Sequence, residues 1–320
     1  IIPSTFTNDI SCSKIRNFII KKNIAKEIIL LPENIKAFSD VQQAFAILIL
    51  DFKKRNSNRN IKIGKIKNRK DLSKVNLELI NSGYIEKLFP KDLNIPILTN
   101  KEIKLFMYLK KFPILKNNKN IINKRGEVDL TIYKKLISYG QRRLIRGKNI
   151  DEYSLKNDFE KIDVKKFYRI NNSANNYIKY RRLACQQISN IDSSKRLKFA
   201  EIKPGFLLGN SLNFLALNNK DDDFFYGIYA ICNSILLDWF FRVTSSNNHI
   251  NNYQIDAFPM PENKNKIEQL GQYFKKLFLK NKNSKNRNLL ENKILEIYGC
   301  SEYKNILTSY HPKGRQLLNE

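Results

Sequence analysis

Three short stretches of the sequence concentrate arginine, whose planar guanidinium can bind two phosphate oxygens or the O6 and N7 atoms of guanine. They read QRRLIRGK, YRRLACQQ and SSKRLK, and they lie between residues 141 and 198. This density predicts contact with nucleic acid, to phosphates more often than to base edges; a solvated surface charge is the simpler alternative for each side chain. Gln187 could pair with adenine or lie on a strand surface. The predicted DNA-contacting residues of these stretches are Arg142, Arg143, Arg146, Lys148, Arg181, Arg182, Gln187, Lys195 and Arg196.

A polar segment, TSSNNHINNYQIDAFPMP at residues 244–261, follows an apolar run and ends in Pro-Met-Pro. Short Ser and Asn side chains both donate and accept hydrogen bonds, so they suit phosphates and base edges. Turns favour the same residues, so a capped loop is the alternative. We expect Ser245, Ser246 and Asn248 to lie near DNA.

A nuclease is the main rival chemistry that the residues suggest. Asp192, Glu201 and Lys203 resemble the acid and Glu-x-Lys set with which magnesium nucleases hold the ion and activate water. The three aspartates at residues 221–223 could bind a cation, although a charged loop before a helix is the simpler interpretation. The two histidines and the four widely spaced cysteines predict no metal site and no disulfide framework.

The composition agrees with a polyanionic partner. The chain of 320 residues carries 58 Lys and Arg against 30 Asp and Glu, a formal charge of +28. Such a charge favours nucleic acid as a partner, although coding DNA rich in A and T would also enrich lysine. With 42% apolar residues the chain can bury a sizeable core.

The first part of the chain reads as alternating strands and helices, the pattern of an α/β sheet. IIPS ends a strand, and SCSKIRNFIIKKN is a helix capped by Ser11 or Ser13, with Ile15, Phe18 and Ile19 on one face. AKEIILLPE and QAFAILILDFKKR are strands. Residues 53–70 then read as a solvated linker or a phosphate-contacting arm.

The rest of the chain changes character. DLSKVNLELINSG and NKEIKLFMYLKKFP read as helices, and residues 126–216, including KFYRI, read as short strands and turns. Residues 224–243 predict one buried core helix rather than a membrane span, because Asn233 and Asp238 interrupt the apolar run. Residues 262–298 read as basic helices. No signal peptide is evident.

An ordered series of these stretches resembles the DNA adenine-N6 methyltransferases of type II restriction–modification systems. IIPSTFTNDISCSKIRNFI followed by EIILLPENIKAFSDVQQAFAILIL is similar to the end of their catalytic domain, which finishes on an antiparallel strand. GEVDLTIYKKLIS, LIRGKNIDEY, RLACQQISNIDSSKRLKFAEI, YGIYAICNSILLDWFFR and SSNNHINNYQIDAFPMP are similar, in order, to a TaqI-like or Eco57I-like target-recognition domain. The resemblance covers roughly residues 1–262.

The resemblance implies a fold and a division of labour. Residues 1–55 would be the closing half of a Rossmann-like methyltransferase sheet, an α/β fold. Residues 56–262 would be an α+β target-recognition domain, and residues 263–320 a basic helical tail. The family places an aromatic that stacks on the flipped adenine in the loop before the closing strand, which makes Phe38 the candidate here. S-adenosyl-L-methionine is the family's cofactor, and double-stranded DNA and a cognate restriction endonuclease are its partners, in the cytoplasm of a prokaryote.

The chain departs from the family's pattern in two motifs. It has neither the catalytic Asn-Pro-Pro-aromatic tetrapeptide nor the Gly-rich loop that binds the cofactor, and it opens on IIPSTF without an initial Met. We therefore expect the C-terminal portion of a longer enzyme, which cannot methylate without its N-terminal half. A free-standing DNA-binding specificity module and a magnesium-dependent nuclease remain as alternatives.

Overall fold

The computed structural model divides the chain into two compact units. Unit 1 comprises Ile1–Leu109 with Val243–Ser246, and unit 2 comprises Lys110–Arg242 with Asn247–Glu320. The described residues are 1–36, 38, 43–52, 59–66, 69, 75–171, 175–191, 193–218, 221–245 and 248–310. The domain boundaries expected at residues 55 and 262 stay predictions.

Unit 1 is built on a mixed five-stranded sheet of order β1-β3-β2-β4-β5. β3 is antiparallel to both β1 and β2, so these two strands run parallel to each other and are connected through helix α1. β4 adds parallel to β2, and β5 adds antiparallel to β4. The elements are β1 (Ile2–Pro3), α1 (Ser13–Lys21), β2 (Ala25–Leu31), β3 (Phe45–Leu50), β4 (Asn60–Lys65), β5 (Leu77–Asn81), α2 (Ser82–Leu88) and α3 (Asn100–Leu109).

Two elements of unit 1 differ from the sequence-based expectation. Residues 60–65, expected in a linker or arm, form β4, because their alternating Ile61 and Ile63 side chains are buried in the sheet. The stretch DLSKVNLELINSG, predicted as a helix, instead contains strand β5, and the short helix α2 follows that strand. Asn81 decides the change, since its Oδ1 accepts from Gly83 N at 2.8 Å and starts the helix there. Residues 53–58, 67, 68 and 70–74 lie outside the described residues.

Helix α1 buries a different face from the expected one. Ile15 and Phe18 are 56% and 54% exposed, whereas Arg16, Ile19 and Ile20 are buried. Arg16 is held by backbone carbonyls: its Nε donates to Asp92 O at 2.9 Å and its Nη1 to Phe6 O at 2.8 Å. A buried guanidinium is tolerated only when its donors are satisfied in this way. The helix follows a short 3-10 turn that Asp9 caps by accepting from Ser11 N at 2.9 Å; neither Ser11 nor Ser13 provides the cap.

Unit 2 contains a four-stranded antiparallel sheet of order β12-β11-β14-β6 and a three-stranded sheet of order β10-β7-β13. One core cluster includes Ala184, Ile202 and Phe214 of the first sheet, and another joins Leu144, Ile162 and Phe167. The strands are β6 (Ile121–Arg125), β7 (Ile137–Ile145), β8 (Ile150–Asp151), β9 (Ser154–Leu155), β10 (Glu160–Ile162), β11 (Arg182–Gln186), β12 (Phe199–Ile202), β13 (Leu207–Leu208) and β14 (Leu212–Leu217). Helices α4 (Val164–Ile170) and α5 (Asn175–Ile178) interrupt them.

KFYRI was expected to be a strand and lies instead in helix α4. Asp163 caps this helix by accepting from Lys166 N at 3.1 Å, and Phe167 is buried. One buried aromatic in a short segment is compatible with either a helix or a strand. The capping residue therefore decides in favour of the helix.

The predicted buried helix is two helices, α6 (Asp222–Cys232) and α7 (Ile235–Thr244), separated by Asn233 and Ser234. Asn233 leaves the helical pattern because its side chain bonds strand β12: Phe199 N donates to Oδ1 at 2.9 Å, and Nδ2 donates to Phe199 O at 3.1 Å. Within the described part of the chain, no single helix is both long and apolar enough to cross a membrane; α6 and α7 meet that test only together, with a 53° bend between them.

The predicted tail is helical and belongs to unit 2. Helix α8 (Asn252–Asp256) precedes the tail, and the described part of the tail comprises α9 (Lys264–Tyr273) with a π-helical turn at Phe274–Phe278, α10 (Ser284–Tyr298) and α11 (Lys304–Tyr310). Helices α6 and α9 approach through glycines: a Cβ on Gly227 would lie 2.1 Å from Ile267 O. The C-terminal helices therefore complete the fold of unit 2.

Candidate nucleic-acid interface

Three of the predicted DNA-contacting side chains are buried inside unit 2. Arg182 is fully buried, and its Nη1 donates to both carboxylate oxygens of Glu127 at 3.1 Å. Lys195 forms an ion pair with Glu152 and also bonds Asn233 O. Desolvation raises the pKa of Glu127, and the neighbouring Arg182 cation opposes this shift.

Arg196 is also buried, and its guanidinium lies 4.7 Å from the centre of the Phe241 ring. Its backbone N donates to Asp238 Oδ1 at 2.9 Å, and its Nη2 donates to Ser189 O at 3.3 Å. In this conformation neither a phosphate nor a base edge can reach Arg182, Lys195 or Arg196. These three residues are therefore left out of the candidate interface.

Arg181 is half-buried and bound by protein groups. It forms ion pairs with Glu201 at 3.1 Å and Asp222 at 2.5 Å, and its guanidinium lies 3.7 Å from the centre of the Phe225 ring. Glu201, one of the two acids of the nuclease alternative, thus forms an ion pair with an arginine. Asp192 lies outside the described residues, and no group of three His, Cys, Asp or Glu that could hold a metal occurs within them.

The three aspartates at the start of α6 have structural partners. Asp221 caps the helix by accepting from Asp223 N at 2.9 Å and Phe224 N at 3.1 Å. Asp223 pairs with Lys275 at 2.5 Å, a hydrogen bond that lowers the pKa of this carboxyl group. Residues 221–223 are therefore the cap and first turn of α6 rather than the expected charged loop before it.

Arg142 and Arg143 are exposed and lie where a bulge of β7 ends. Ile137 pairs with Ile162 of β10, whereas Arg143 pairs with the preceding Lys161, so residues 138–142 form an excursion from the ladder. Ser138 and Gly140 adopt positive φ of 78° and 110°, and a Cβ on Gly140 would lie 2.4 Å from Ile162 O. The backbone of this β7 bulge is thus specified by the chain, and it presents two arginines to solvent.

Arg146 and Lys148 lie in the turn after β7 and carry their own counter-ions. Arg146 Nη1 donates to Glu160 Oε1 at 2.8 Å, and Lys148 Nζ bonds Asp158 at 2.8 Å. The turn is fixed to the four-stranded sheet, since Gln186 Nε2 donates to Gly147 O at 2.8 Å. Both pairs are exposed enough for phosphates to compete with the carboxylates.

Strands β6 and β11 end at the same edge of their sheet, because both are antiparallel to β14 between them. Here Arg125 Nη2 donates to Gln187 Oε1 at 3.0 Å, and Arg125 Nε donates to Asn210 O at 2.7 Å. We call this group of three residues the β6–β11 edge. It brings the Arg125 side chain to the Gln187 side chain and the Asn210 backbone carbonyl, which are 62 and 85 positions away in the sequence.

The polar segment lies beside this edge. Ile250 N donates to Gln187 O at 2.8 Å and Ser189 N to Asn248 O at 2.9 Å, so residues 248–250 pair with residues 187–191. Asn248 is exposed, and its Oδ1 accepts from Ile191 N at 2.9 Å. Ser245 is buried, and Ser246 lies outside the described residues.

The other polar residues of the segment have structural roles towards its C-terminal end. Asn251 and Gln254 form a reciprocal cap for α8. Pro259 then forms a bridge with Ile114, and Met260 N donates to Pro113 O at 2.8 Å. Part of this Asn-rich composition therefore closes a loop, while Asn248 and His249 remain on the surface.

Phe38 belongs to unit 1 and is 42% exposed. Its ring meets Phe45, the first residue of β3, edge to face with 5.1 Å between the ring centres. The side chain thus has one face on the protein and surface left to stack on another ring.

Sequence reasoning missed Arg125. It is followed by a glycine at a strand end, and nothing local distinguishes it from the other exposed basic residues of the chain. Only the pairing of β14 with both β6 and β11 places it next to Gln187. The signal is therefore tertiary.

Comparison with known proteins shows a similarity in fold to solved structures. No family model and no curated protein matches the sequence. The structure of MmeI, a type IIL restriction–modification enzyme solved in complex with DNA, matches 99% of this chain and 49% of its own, with a TM-score of 0.57 and 8% identity. The type IIG restriction endonuclease BpuSI matches 98% of this chain and 47% of its own, with a TM-score of 0.47 and 8% identity. The chain thus spans about half the length of these proteins and is similar in fold to part of MmeI.

Proposed function

We propose that the chain is the C-terminal part of a site-specific DNA adenine-N6 methyltransferase of a restriction–modification system, in which unit 2 binds and selects the DNA target. The observation that carries this proposal is the similarity in fold to MmeI over 99% of the chain. That protein combines restriction and modification and was solved with DNA, and this chain corresponds to about half of it.

The topology of unit 1 supports the assignment to a methyltransferase. The sheet has two parallel strands, β1 and β2, joined through a helix, with the later strand β3 inserted antiparallel between them. An antiparallel strand at this point is what the resemblance to adenine-N6 methyltransferases implies. In this proposal Phe38 stacks on the flipped adenine, and methyl transfer by the intact enzyme carrying Phe38→Ala is the relevant measurement.

In this proposal the described residues of the chain do not supply the site for S-adenosyl-L-methionine. The glycines at which backbones approach most closely, Gly126, Gly140, Gly227 and Gly271, face the backbone of the protein itself rather than an open cradle. The Gly-rich loop and the Asn-Pro-Pro-aromatic motif are absent from the sequence. Both cofactor binding and methyl transfer are therefore assigned to the half of the enzyme that this chain lacks.

The surface of unit 2 supports a role in binding DNA. The β7 bulge presents Arg142 and Arg143, the turn after it presents Arg146 and Lys148, and the β6–β11 edge presents Arg125. Arginine and lysine bind phosphates, which supply most of the affinity, while exposed amide and guanidinium groups can read bases. The net charge of +28 favours the same partner.

The test is selection by the purified chain from a pool of random-sequence DNA duplexes, followed by affinity measurements at two salt concentrations. We expect one enriched motif, bound roughly 10³-fold more tightly than unrelated duplexes in moderate salt. Equal affinity for all sequences, lost uniformly with salt, would mean that charge alone holds the DNA and would refute target recognition.

A free-standing specificity module is the second candidate. Unit 2 supports it, because two core clusters among its described residues consist of its own side chains. The two functions predict the same DNA binding but differ in the gene: an open reading frame that continues upstream and encodes the Asn-Pro-Pro-aromatic motif supports the methyltransferase. A start codon at this point supports the module.

A further inference from the structure

Arg125 is an exposed residue whose side chain is nevertheless held in one orientation. Its Nε donates to Asn210 O at 2.7 Å, and its Nη2 donates to Gln187 Oε1 at 3.0 Å. Exposed arginines normally keep their rotamer freedom, so two bonds to one guanidinium require both acceptors to be positioned. Asn210 lies in the turn before β14, and Gln187 directly follows β11, so the sheet itself positions them.

The bonds that orient Arg125 use one side of the guanidinium and leave its end available. Nε and Nη2 donate along the side of the plane, whereas one N–H of Nη1 and one of Nη2 point forward as a parallel pair. Among the described residues, none accepts a hydrogen bond from Nη1. The pKa of Asp129 is lowered mainly by hydrogen bonds from Ile132 N and Thr131 N and further by the Arg125 cation, so this carboxylate is the acidic group that senses Arg125 without a direct ion pair. On an exposed side chain, such a planar pair of donors matches two adjacent acceptors.

We propose that Arg125, oriented by Gln187 and by the carbonyl of Asn210, reads one guanine of the DNA target through its O6 and N7 atoms. This inference rests on the proposed function and specifies its recognition site. Guanine is the base whose major-groove edge offers two adjacent acceptors, and a forward-pointing guanidinium is the usual side chain that pairs with it. Gln187 is then a positioning residue, because its Oε1 already accepts from Arg125.

The surroundings of Arg125 suit a base rather than a phosphate. Ile188 is 60% exposed next to Gln187, and it forms a bridge with His249 of the polar segment. An apolar side chain gains nothing from a phosphate but can contact a base edge or a thymine methyl group. Lys148, in the turn joined to the same sheet end, offers the compact charge that phosphates bind.

A structural staple is the competing explanation, since Arg125 also connects β6 to the turn before β14. The two explanations predict different results for Arg125→Ala. A staple lowers the melting temperature and leaves base preference unchanged in the folded fraction. A guanine reader leaves the melting temperature nearly unchanged, because the side chain is exposed, and removes preference at one position.

The experiment is random-duplex selection with the wild-type chain and with Arg125→Ala, Arg125→Lys, Gln187→Ala and Lys124→Ala. Lys124 is an exposed neighbour on the same strand, so its variant is the control for loss of one positive charge. We expect the Arg125→Ala motif to match the wild-type motif except at one guanine, where preference falls by about 10- to 100-fold. Arg125→Lys and Gln187→Ala should weaken the same position, and Lys124→Ala should leave every position unchanged.

Duplexes carrying 7-deazaguanine, which lacks the N7 acceptor, provide the second measurement. Replacement of the assigned guanine should weaken binding by the wild-type chain and have no further effect on Arg125→Ala. A uniform loss of affinity without a position-specific change would reassign Arg125 to a phosphate and overturn the proposal, as would an unchanged motif. A wild-type chain that enriches no motif would refute the proposed function and this inference together, whereas an unchanged motif in the Arg125 variants refutes only the inference.

Discussion

Arg142 and Arg182 come from similar basic stretches of the sequence, yet one is exposed on the β7 bulge and the other is fully buried against Glu127. A buried arginine must find partners for its donors, and Arg182 finds two carboxylate oxygens and Phe206 O at 2.5 Å. An exposed arginine keeps its donors for a ligand. The individual side chain therefore has its role assigned by burial rather than by residue type.

Glu291 yields a prediction at the same scale. This residue of α10 is buried against the start of α7, where Ile235 N donates to its Oε1 at 3.2 Å and to its Oε2 at 3.1 Å. Burial raises its pKa to about 7, although the cations of Lys195 and Arg287 oppose the shift; the nearby Glu152 adds to it. The folded protein therefore holds a proton that the unfolded chain releases above its ordinary value of 4.5.

Stability from this group is present below the unfolded pKa and is lost as pH rises through the folded pKa. Glu291→Gln keeps an acceptor for Ile235 N and removes the titration. The free energy of unfolding of this variant should gain about 2 kcal/mol on the wild type between pH 5 and pH 7.5, measured by urea denaturation. Glu296→Gln, an exposed change on the same helix, serves as the control and should show no such gain. A constant difference between Glu291→Gln and the wild type across this range would contradict the prediction.

At the scale of secondary-structure elements, helices α6 and α9 approach each other closely at two glycines. A Cβ on Gly271 would lie 1.8 Å from Asp223 O, and one on Gly227 would lie 2.1 Å from Ile267 O. The neighbouring atoms belong to backbone, which cannot rotate away as the end of a side chain can. The two glycines thus allow α9 to pack directly against α6.

Gly271→Ala should therefore separate the two helices and destabilise the chain by about 3 kcal/mol. The comparison is Lys266→Ala, an exposed change on the same helix, which should alter the free energy of unfolding by less than about 0.5 kcal/mol. Chemical denaturation monitored at the single tryptophan, Trp239 of α7, reports the transition. Equal stability of the two variants would show that the helices do not depend on this close approach.

At the scale of the whole molecule, charge dominates. The excess of 28 positive charges gives a field that attracts any polyanion, and only local structure can turn that attraction into choice of a sequence. The β7 bulge and the β6–β11 edge differ in this respect. Arg142 and Arg143 are exposed to phosphates, although the Arg143 guanidinium also lies 5.5 Å from the centre of the Phe159 ring, whereas two hydrogen bonds fix Arg125.

Salt dependence separates these contributions. Replacing both Arg142 and Arg143 by alanine should reduce the slope of log affinity against log salt by about 2, close to one unit for each lost phosphate contact. Fluorescence anisotropy with one labelled duplex, from low to moderate salt, provides the slope. The charge-matched variant with Lys280→Ala and Lys285→Ala, both exposed in the C-terminal region, should keep the wild-type slope. The opposite pattern would place the DNA against the C-terminal helices.

Several features of this protein were open to prediction from the sequence because they depend on local pattern. The runs that form β2, β3 and α3, and the buried stretch that contains α6, carry periodicities set by which side chains must leave water. The basic composition is local in the same sense. Mixed α/β architecture and nucleic acid as the expected partner both follow from such features.

The tertiary structure decided what depends on partners distant in the sequence. β5 is a strand because β4 pairs with it, and the buried run breaks at Asn233 because β12 bonds its side chain. Arg182 lies inside because Glu127 does, whereas Arg125 is aimed outward because β14 brings Gln187 and Asn210 beside it. A guanidinium looks the same in any basic stretch of sequence, and the free energy that directs it inward or outward comes from groups that only the folded chain brings together.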